Sequence, residues 1–250
     1  DPTQAAILFE EFSTPNEGGA FGFSTRFEND TLKINYVFPG SPADREGIMR
    51  GDILFEVNGK PLLTDDNALS LFYTEIEGGV GTTSTIKILR ENTFITTSLT
   101  KENIRFATAW KDSLTPYSSL IQITGFEIST LDDSQEIYTT RGEQDTAVGT
   151  HKEFREALRQ SKDDLVTVID LRGNPGGFVS ICTSMIDELI SDGVFFITTR
   201  IDQGTIFHDT ISANPGGIAH QRDIILLADA NSASCSELFI QGVRTNQEAP

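Results

Sequence analysis

Residues 165–177 read Leu-Val-Thr-Val-Ile-Asp-Leu-Arg-Gly-Asn-Pro-Gly-Gly. The first seven are almost all apolar or β-branched, which is typical of a strand buried on both faces of a parallel sheet. A glycine-rich turn, residues 172–177, follows at once, and α/β folds bind ligands at such turns. Its backbone N–H groups could stabilise negative charge, although the same glycines also suit a tight turn that needs positive φ. No Gly-Lys-Ser/Thr follows, which excludes a P-loop.

The rest of the second half alternates helices and strands, a pattern that predicts an α/β core. Thr150-x-x-Glu153 fits a capping box at one helix start. Two further buried strands are predicted at residues 194–197 and 224–227, and a last helix at residues 234–243. The helix after the glycine turn carries an apolar stripe formed by Ile181, Met185, Ile186, Leu189 and Ile190.

The first hundred residues have a different pattern, mostly β with a short helix. Asn58-Gly59 favours a hairpin turn, because both residues tolerate positive φ. The helix is predicted to carry Ala68, Leu69, Phe72 and Ile76. Strands are predicted at residues 21–24, 32–37, 53–57, 85–89 and 94–99. The change of pattern near Asn103, in a chain of 250 residues, predicts two domains.

The composition excludes several classes of function. The chain has 37 acidic and 19 basic residues, and its net charge of −18 would repel nucleic acid. No apolar run approaches the ~20 residues of a membrane span. Asp1 does not begin a signal segment, so we expect any export signal to have been removed. Two cysteines and three scattered histidines form no ligand cluster, so we expect neither a metal nor a cofactor.

A second segment, residues 231–237, reads Asn-Ser-Ala-Ser-Cys-Ser-Glu and again lies between a predicted strand and a predicted helix. A serine hydroxyl at a helix N-terminus lies in a positive field that would stabilise an oxyanion. Ser234-x-x-Glu237 is also an ordinary capping box. The segment alone favours the capping interpretation over a nucleophile.

A series of turn motifs runs through residues 19–101 in a fixed order. They are Phe21-Gly22-Phe23, Pro39-Gly40-Ser41-Pro42-Ala43, Gly47, Gly51-Asp52-Ile53-Leu54 and Val57-Asn58-Gly59. In this order they resemble a PDZ domain, and most closely the permuted bacterial type found in proteases. An exposed sheet edge beside a helix can accept an extended peptide as one more strand.

The resemblance implies a peptide-binding groove in this half. Backbone N–H groups of the Phe21-Gly22-Phe23 turn would hold a chain-terminal carboxylate, and Gly22 would let the peptide approach closely. The groove would lie between residues 23–27 and the helix that carries Ala68 and Phe72. The alternative is that these apolar residues only fill the core of a small domain.

Three motifs in sequence carry a wider resemblance. The PDZ-like half is followed by Asn174-Pro175-Gly176-Gly177 and then by Ser232-Ala233-Ser234-Cys235-Ser236-Glu237. Together they resemble the C-terminal processing serine proteases of peptidase family S41, over about residues 19–250. Cys235 stands where that family usually has alanine, and Gln122 where it has an arginine.

The resemblance implies a two-domain protein of α+β and α/β class, in which a permuted PDZ domain precedes a crotonase-like α/β core. Residues 1–18 would form an N-terminal segment, residues 19–103 the PDZ domain and residues 104–250 a C-terminally incomplete protease core. Peptide binding by the PDZ domain could then regulate the core.

The same resemblance assigns roles to the motifs. Ser234 would be the nucleophile, and Glu237 would orient or tune the catalytic base while capping its helix. The N–H of Cys235, with that of Gly176 or Gly177, would form the oxyanion hole. A serine peptidase of this kind would act on polypeptides, which it would recognise through their C-termini, and would work outside the cytoplasm.

A base must remove the serine proton, and the family resemblance implies a lysine in a Gly-Lys-Gly turn about two dozen residues further on. All seven lysines lie at or before Lys162, and the chain ends at Pro250. We expect truncation of the core to explain the missing lysine. A histidine could stand in, among His151, His208 and His220, but none fits a motif.

Two other functions remain open. A catalytically inactive protein could keep the fold and the peptide groove without the base. A crotonase-type acyl-CoA enzyme would share the core and the oxyanion hole, an argument from fold alone. The PDZ-like half and the three-serine motif argue against the acyl-CoA enzyme.

Overall fold

A computed structural model gives the architecture of the chain, which divides into two compact units, Asp1–Phe106 and Ala107–Pro250. The structure describes residues 19–28, 31–62, 67–104, 106–128, 130, 139–140, 143–144, 147–190, 193–203, 205–214, 217–219 and 223–246. The predicted N-terminal segment, residues 1–18, therefore lies outside the described residues. Within the described residues, no helix is long and apolar enough to cross a membrane.

The first unit is an antiparallel sheet with strand order β1-β2-β3-β5-β6, and β4 pairs with β3. Asn58 and Gly59 form the predicted turn between β3 and β4, with φ of 50° and 80°. The strands are β1 (Phe23–Glu28), β2 (Thr31–Val37), β3 (Ile53–Val57), β4 (Lys60–Pro61), β5 (Thr83–Arg90) and β6 (Thr93–Thr100). Alternating apolar residues of these strands face one core.

Two helices cover this sheet, α1 (Pro42–Arg45) and α2 (Asn67–Glu75). Ser41 caps α1, because its hydroxyl accepts a hydrogen bond from the Asp44 N–H at 3.2 Å. The carboxylate of Asp52, which is buried, binds the Arg90 guanidinium through both oxygens, and this hydrogen bonding raises the pKa of Arg90. The unit is therefore pinned by apolar packing and one buried ion pair.

The second unit is built on a mixed sheet with strand order β14-β11-β8-β7. β11 (Val166–Asp170) lies in the centre and runs parallel to both β8 (Ser118–Ile123) and β14 (Asp223–Leu227). β7 (Ala109–Thr115), which the sequence analysis missed, pairs antiparallel to β8. The parallel arrangement places the carboxyl ends of β8, β11 and β14 at one edge of the sheet, where the predicted turns lie.

Three helices pack on this sheet, α3 (Gly149–Gln160), α4 (Val179–Asp187) and α5 (Cys235–Asn246). Every member of the predicted stripe on the helix after the glycine turn is buried, including Leu189 and Ile190 beyond the end of α4. The rings of Phe126 and Phe154 both lie against Phe239 of α5, with centroids 5.9 and 6.1 Å away. These three aromatic rings thus pack together in the core of the second unit.

The prediction of a buried strand at residues 194–197 is wrong. This segment begins β12 (Val194–Asp202), which pairs antiparallel with β13 (Thr205–Ser212) in a separate two-stranded sheet. Ile197 and Ile201 are 60% and 70% exposed. Apolar composition alone does not distinguish a buried parallel strand from a hairpin, because both favour β-branched residues. Two short strands, β9 (Thr139–Thr140) and β10 (Glu143–Gln144), form another pair.

The predicted capping box at Thr150 and Glu153 is also wrong. Helix α3 begins one residue before Thr150, and its N-cap, Val148, makes no side-chain capping bond. The Glu153 carboxylate instead accepts hydrogen bonds from the N–H groups of Thr108 and Ala109, at 2.7 and 3.0 Å. It therefore ties α3 to the start of β7.

Candidate active site

The glycine turn after β11 is held by the side chain of Asn174. This fully buried amide accepts a hydrogen bond from the Gly176 N–H at 2.8 Å and donates one to the Ile123 carbonyl at the end of β8, at 3.0 Å. One side chain thus fixes the turn to the neighbouring strand. The Asp170 carboxylate at the end of β11 is occupied by Arg172, at 2.7 and 2.9 Å.

Two serines of the second motif attach it to this turn. The Ser236 hydroxyl donates to the Asn174 carbonyl at 2.9 Å, and the Ser232 hydroxyl donates to the Leu171 carbonyl at 2.8 Å. The Ala233 N–H also donates to the Asn174 carbonyl, at 3.1 Å. The sequence analysis gave no role to these two serines, although their spacing on either side of Ser234 was a signal that they share a structural purpose.

Ser234 itself has a strained backbone and a free side chain. Its φ is 54°, a left-handed conformation that non-glycine residues rarely adopt and that concentrates at functional sites. The side chain is exposed, and its hydroxyl makes no hydrogen bond to any described residue. A β-carbon on Gly176 would lie 2.8 Å from the Ser234 β-carbon, so only glycine permits this approach. The two motifs therefore meet at this serine.

Two backbone amides beside Ser234 are unoccupied. Among the described residues, the N–H groups of Gly177 and Cys235 have no acceptor. The N–H of Gly176 is bound by Asn174, so of the two glycines named from the sequence, Gly177 offers the free donor. A β-carbon on Gly176 would lie 3.1 Å from the Cys235 nitrogen, so the Cys235 amide lies against the glycine turn. Paired free donors of this kind suit an oxyanion.

The predicted capping box at Ser234 is only half formed. The Glu237 carboxylate accepts a hydrogen bond from the Ser234 N–H at 2.9 Å, as a capping glutamate does. The reciprocal bond, which the Glu237 N–H would donate to the Ser234 hydroxyl oxygen, is absent in the described part of the chain. An N-cap residue normally has an extended backbone, and the positive φ of Ser234 turns its hydroxyl away from that role.

Cys235 is a buried structural residue. Its thiol donates to the Gly177 carbonyl at 3.0 Å, and both it and Cys182 are free and buried. Burial, and next the neighbouring Cys235 thiol, raises the pKa of the Cys182 thiol. The Cys182 thiol therefore stays protonated near neutral pH, which suits packing and not nucleophilic chemistry.

The histidine alternative finds no support in the described residues. His151 is 2.8 Å from the Glu188 carboxylate, and His208 is 3.0 Å from the Thr199 hydroxyl. Neither bonds to Ser234, and His220 lies outside the described residues.

Gln122, which stands where an arginine was expected, is the register partner of Asp170 on the adjacent strand.

The residues predicted for a peptide groove separate into two groups. Ala68, Phe72 and Phe21 are buried in the core of the first unit, as in the core-filling alternative. Phe23 is half-buried at the edge strand, and its ring centroid is 6.0 Å from that of Phe72. Among the described residues, the N–H groups of Phe21 and Gly22 have no acceptor, so this loop keeps two free donors.

Gly22 is required by packing within the first unit. Its φ is 88°, and a β-carbon there would lie 2.0 Å from the Ser41 β-carbon. The Gly22 carbonyl accepts hydrogen bonds from the Phe38 N–H and the Ser41 hydroxyl, at 2.9 and 3.1 Å. The loop is therefore held rigidly from its carbonyl side.

Comparison with known proteins gives consistent matches. The family model for peptidase family S41 matches residues 119–250, and the model for a PDZ domain matches residues 33–75. A Staphylococcus aureus protein named as a CtpA-like serine protease is 25% identical, over 100% of this chain and 47% of that protein. The chloroplastic carboxyl-terminal-processing peptidase 3 of Arabidopsis thaliana is 30% identical, over 84% of this chain and 39% of that protein. The chain spans about half the length of the curated relatives it matches.

Two solved structures have the same fold. The photosystem II D1 C-terminal processing protease has a TM-score of 0.55 at 17% identity, covering 98% of this chain and 62% of that one. A Bacteroides fragilis protein described as an S41 protease has a TM-score of 0.60 at 17% identity, covering 92% and 62%. At this identity the similarity concerns the fold alone, with its mixed sheets and helices.

Proposed function

The chain belongs to peptidase family S41, and on that basis we propose that it carries the nucleophile of a serine endopeptidase, Ser234. The observation that carries the proposal is the exposed Ser234 on a left-handed backbone, whose hydroxyl, like the nearby amides of Gly177 and Cys235, has no hydrogen-bond partner among the described residues. We also propose that the first unit is a permuted PDZ domain and the second a crotonase-like core, which is the finer form of the family's fold.

The chemistry follows from this arrangement. The Ser234 oxygen attacks the carbonyl carbon of a peptide bond while its proton passes to a base. The carbonyl oxygen becomes an oxyanion, and the N–H groups of Gly177 and Cys235 stabilise it. Collapse of the intermediate expels the amine, which takes the proton from the base, and water then hydrolyses the acyl-enzyme.

The base in this proposal is a lysine, as the family resemblance implies. Burial must lower the pKa of such a lysine, because only the neutral amine accepts a proton. Glu237, whose carboxylate binds the Ser234 N–H, is placed near enough to the nucleophile to orient this lysine. A Gly-Lys-Gly turn encoded shortly after Pro250 would supply it.

The first unit is proposed to bind the C-terminus of a polypeptide substrate. The free N–H groups of Phe21 and Gly22 are suitable donors for a terminal carboxylate, and edge strand β1 is available for an added strand. Phe23 would then line the groove, while Ala68 and Phe72 support it from the core. Polypeptides are therefore the proposed partners.

The serine assignment is tested by Ser234→Ala in the full-length protein. Cleavage of an unstructured peptide should fall by at least about 10³-fold, because the substitution removes the hydroxyl that would attack the peptide carbonyl. Ser184→Ala is the matched control, since Ser184 is an exposed serine whose hydroxyl only donates to the Ser180 carbonyl of its own helix. Retained cleavage by Ser234→Ala would reject the assignment.

The alternative of an inactive peptide-binding protein makes a different prediction for the same material. Full-length protein that binds the peptide but does not cleave it, whether position 234 is serine or alanine, would establish that alternative. An extracytoplasmic location is also proposed, in line with the chloroplastic relative, and N-terminal sequencing of the mature protein would test it.

A further inference from the structure

The backbone of Glu127 is held in place beside the glycine turn. Its N–H donates to the Thr150 hydroxyl at 2.8 Å, and its carbonyl accepts from the Thr150 N–H at 3.0 Å. A β-carbon on Gly149 would lie 2.1 Å from the Glu127 carbonyl oxygen, so the start of α3 fits closely against this residue. The position of Glu127 is therefore fixed by helix α3.

The Glu127 side chain lies near the glycine turn. A β-carbon on Gly125 would lie 3.5 Å from Glu127 Oε1 and 3.7 Å from the Gly176 carbonyl oxygen, in contact with both. The preceding residue, Phe126, bonds to the turn on both sides, through the Gly176 carbonyl at 3.0 Å and the Phe178 N–H at 2.7 Å. One carboxylate thus lies next to the turn that contacts Ser234.

Within the part of the chain that the structure describes, no side chain neutralises this carboxylate. Among the described residues, Glu127 has no hydrogen bond or ion pair to its side chain. It is about half-buried, and desolvation raises its pKa. A partly desolvated, unpaired carboxylate costs free energy that a cationic partner would recover.

Two exposed apolar residues, one next to Glu127 and one next to the glycine turn in sequence, suit the stem of a long cationic side chain. Ile128 follows Glu127 directly and Phe178 follows the glycine turn, and the two are 47% and 48% exposed. Lysine and arginine place an apolar stem on such surfaces and their charge beyond it. The net charge of −18 would also favour the approach of a cationic peptide.

We propose that Glu127 is a specificity-determining residue that selects polypeptides with a lysine or arginine side chain next to the scissile bond. The proposal rests on the proposed function of Ser234. It names the class of substrate and leaves the roles of Ser234, Gly177 and Cys235 unchanged.

The test compares two peptides that differ at one position next to the cleaved bond, lysine in one and norleucine in the other. The unmodified full-length protein should cleave the lysine peptide with a higher kcat/KM, and Glu127→Gln should lower the lysine-to-norleucine ratio about tenfold. The ratio cancels any general effect of the substitution on folding. Glu156→Gln is the control and should keep the ratio, since Glu156 is exposed on α3 and contacts Arg159 and Gln160 of its own helix.

A second measurement separates this proposal from the proposed function. Binding of both peptides to Ser234→Ala, with and without Glu127→Gln, is followed by fluorescence anisotropy. Tighter binding of the lysine peptide that depends on Glu127 supports the proposal even if no protein cleaves anything. Equal ratios in cleavage and equal affinities in binding, with glutamate or glutamine at this position, would overturn it.

Discussion

At the scale of single residues, Ser234 and Gly176 depend on each other. Ser234 has a left-handed backbone directly before helix α5, and the missing β-carbon of Gly176 leaves room for its side chain. Gly176 has φ of 112°, so this position would be strained for another residue even without the serine. The site is therefore sensitive to a single methyl group.

Gly176→Ala should lower kcat/KM about 100-fold, because its β-carbon would displace Ser234 and the Cys235 N–H. Steady-state kinetics on an unstructured peptide would measure this. Gly59→Ala is the matched control, since Gly59 also has positive φ but has nothing within 4 Å of a new β-carbon. It should cost about 1–2 kcal/mol of stability and leave kcat/KM unchanged. Equal kinetic effects of both substitutions would contradict the steric argument.

The sequence named candidate residues for the site but not their geometry. The motif around Asn174 and the motif around Ser234 were both recognised, and the structure brings them together. The positive φ of Ser234 could not be predicted, because a serine before a helix ordinarily has the extended backbone of a cap. The occupation of the Gly176 N–H by Asn174 depends on the distant carbonyl of Ile123, which no local pattern reveals.

At the scale of elements, the bounds of strands with strong alternation of apolar and polar residues were predicted well. The strands with which they pair were not. β3, β5 and β6 lie within three residues of their predicted bounds. The hairpin of β12 and β13 was taken for a buried strand, because pairing depends on contacts far along the chain. β7 was missed, since polar residues such as Lys111 and Asp112 hide its alternation.

Glu153, which joins α3 to β7, gives a pH prediction. Burial raises the pKa of this carboxyl above its usual value of 4.5, so the folded state favours the protonated form. Its contribution to stability is fully present below the usual pKa and is lost as pH rises through the folded-state pKa.

Urea unfolding from about pH 4 to about pH 7 should therefore show the unmodified protein losing stability relative to Glu153→Gln as pH rises. Glu156→Gln, at an exposed position of the same helix, should run parallel to the unmodified protein. A stability difference between the unmodified protein and Glu153→Gln that does not change with pH would contradict the role of desolvation.

At the scale of the whole molecule, the two units are proposed to act on one polypeptide, the first by holding its end and the second by cutting it. A peptide with a free C-terminal carboxylate should have a KM about tenfold lower than the same peptide with an amidated C-terminus. Steady-state kinetics with the two peptides checks this, at matched ionic strength. Identical KM values would show that the amides of Phe21 and Gly22 do not hold a carboxylate.

The three serines of residues 232–236 differ in their chemical availability. Ser232 and Ser236 donate their hydroxyl protons to carbonyls of the turn, whereas Ser234 is exposed and unbonded. An electrophilic reagent that acylates serine should therefore modify one hydroxyl of the three. If the turn came loose, the other two hydroxyls would be exposed without a base to activate them, so the labelling stoichiometry would not rise above one.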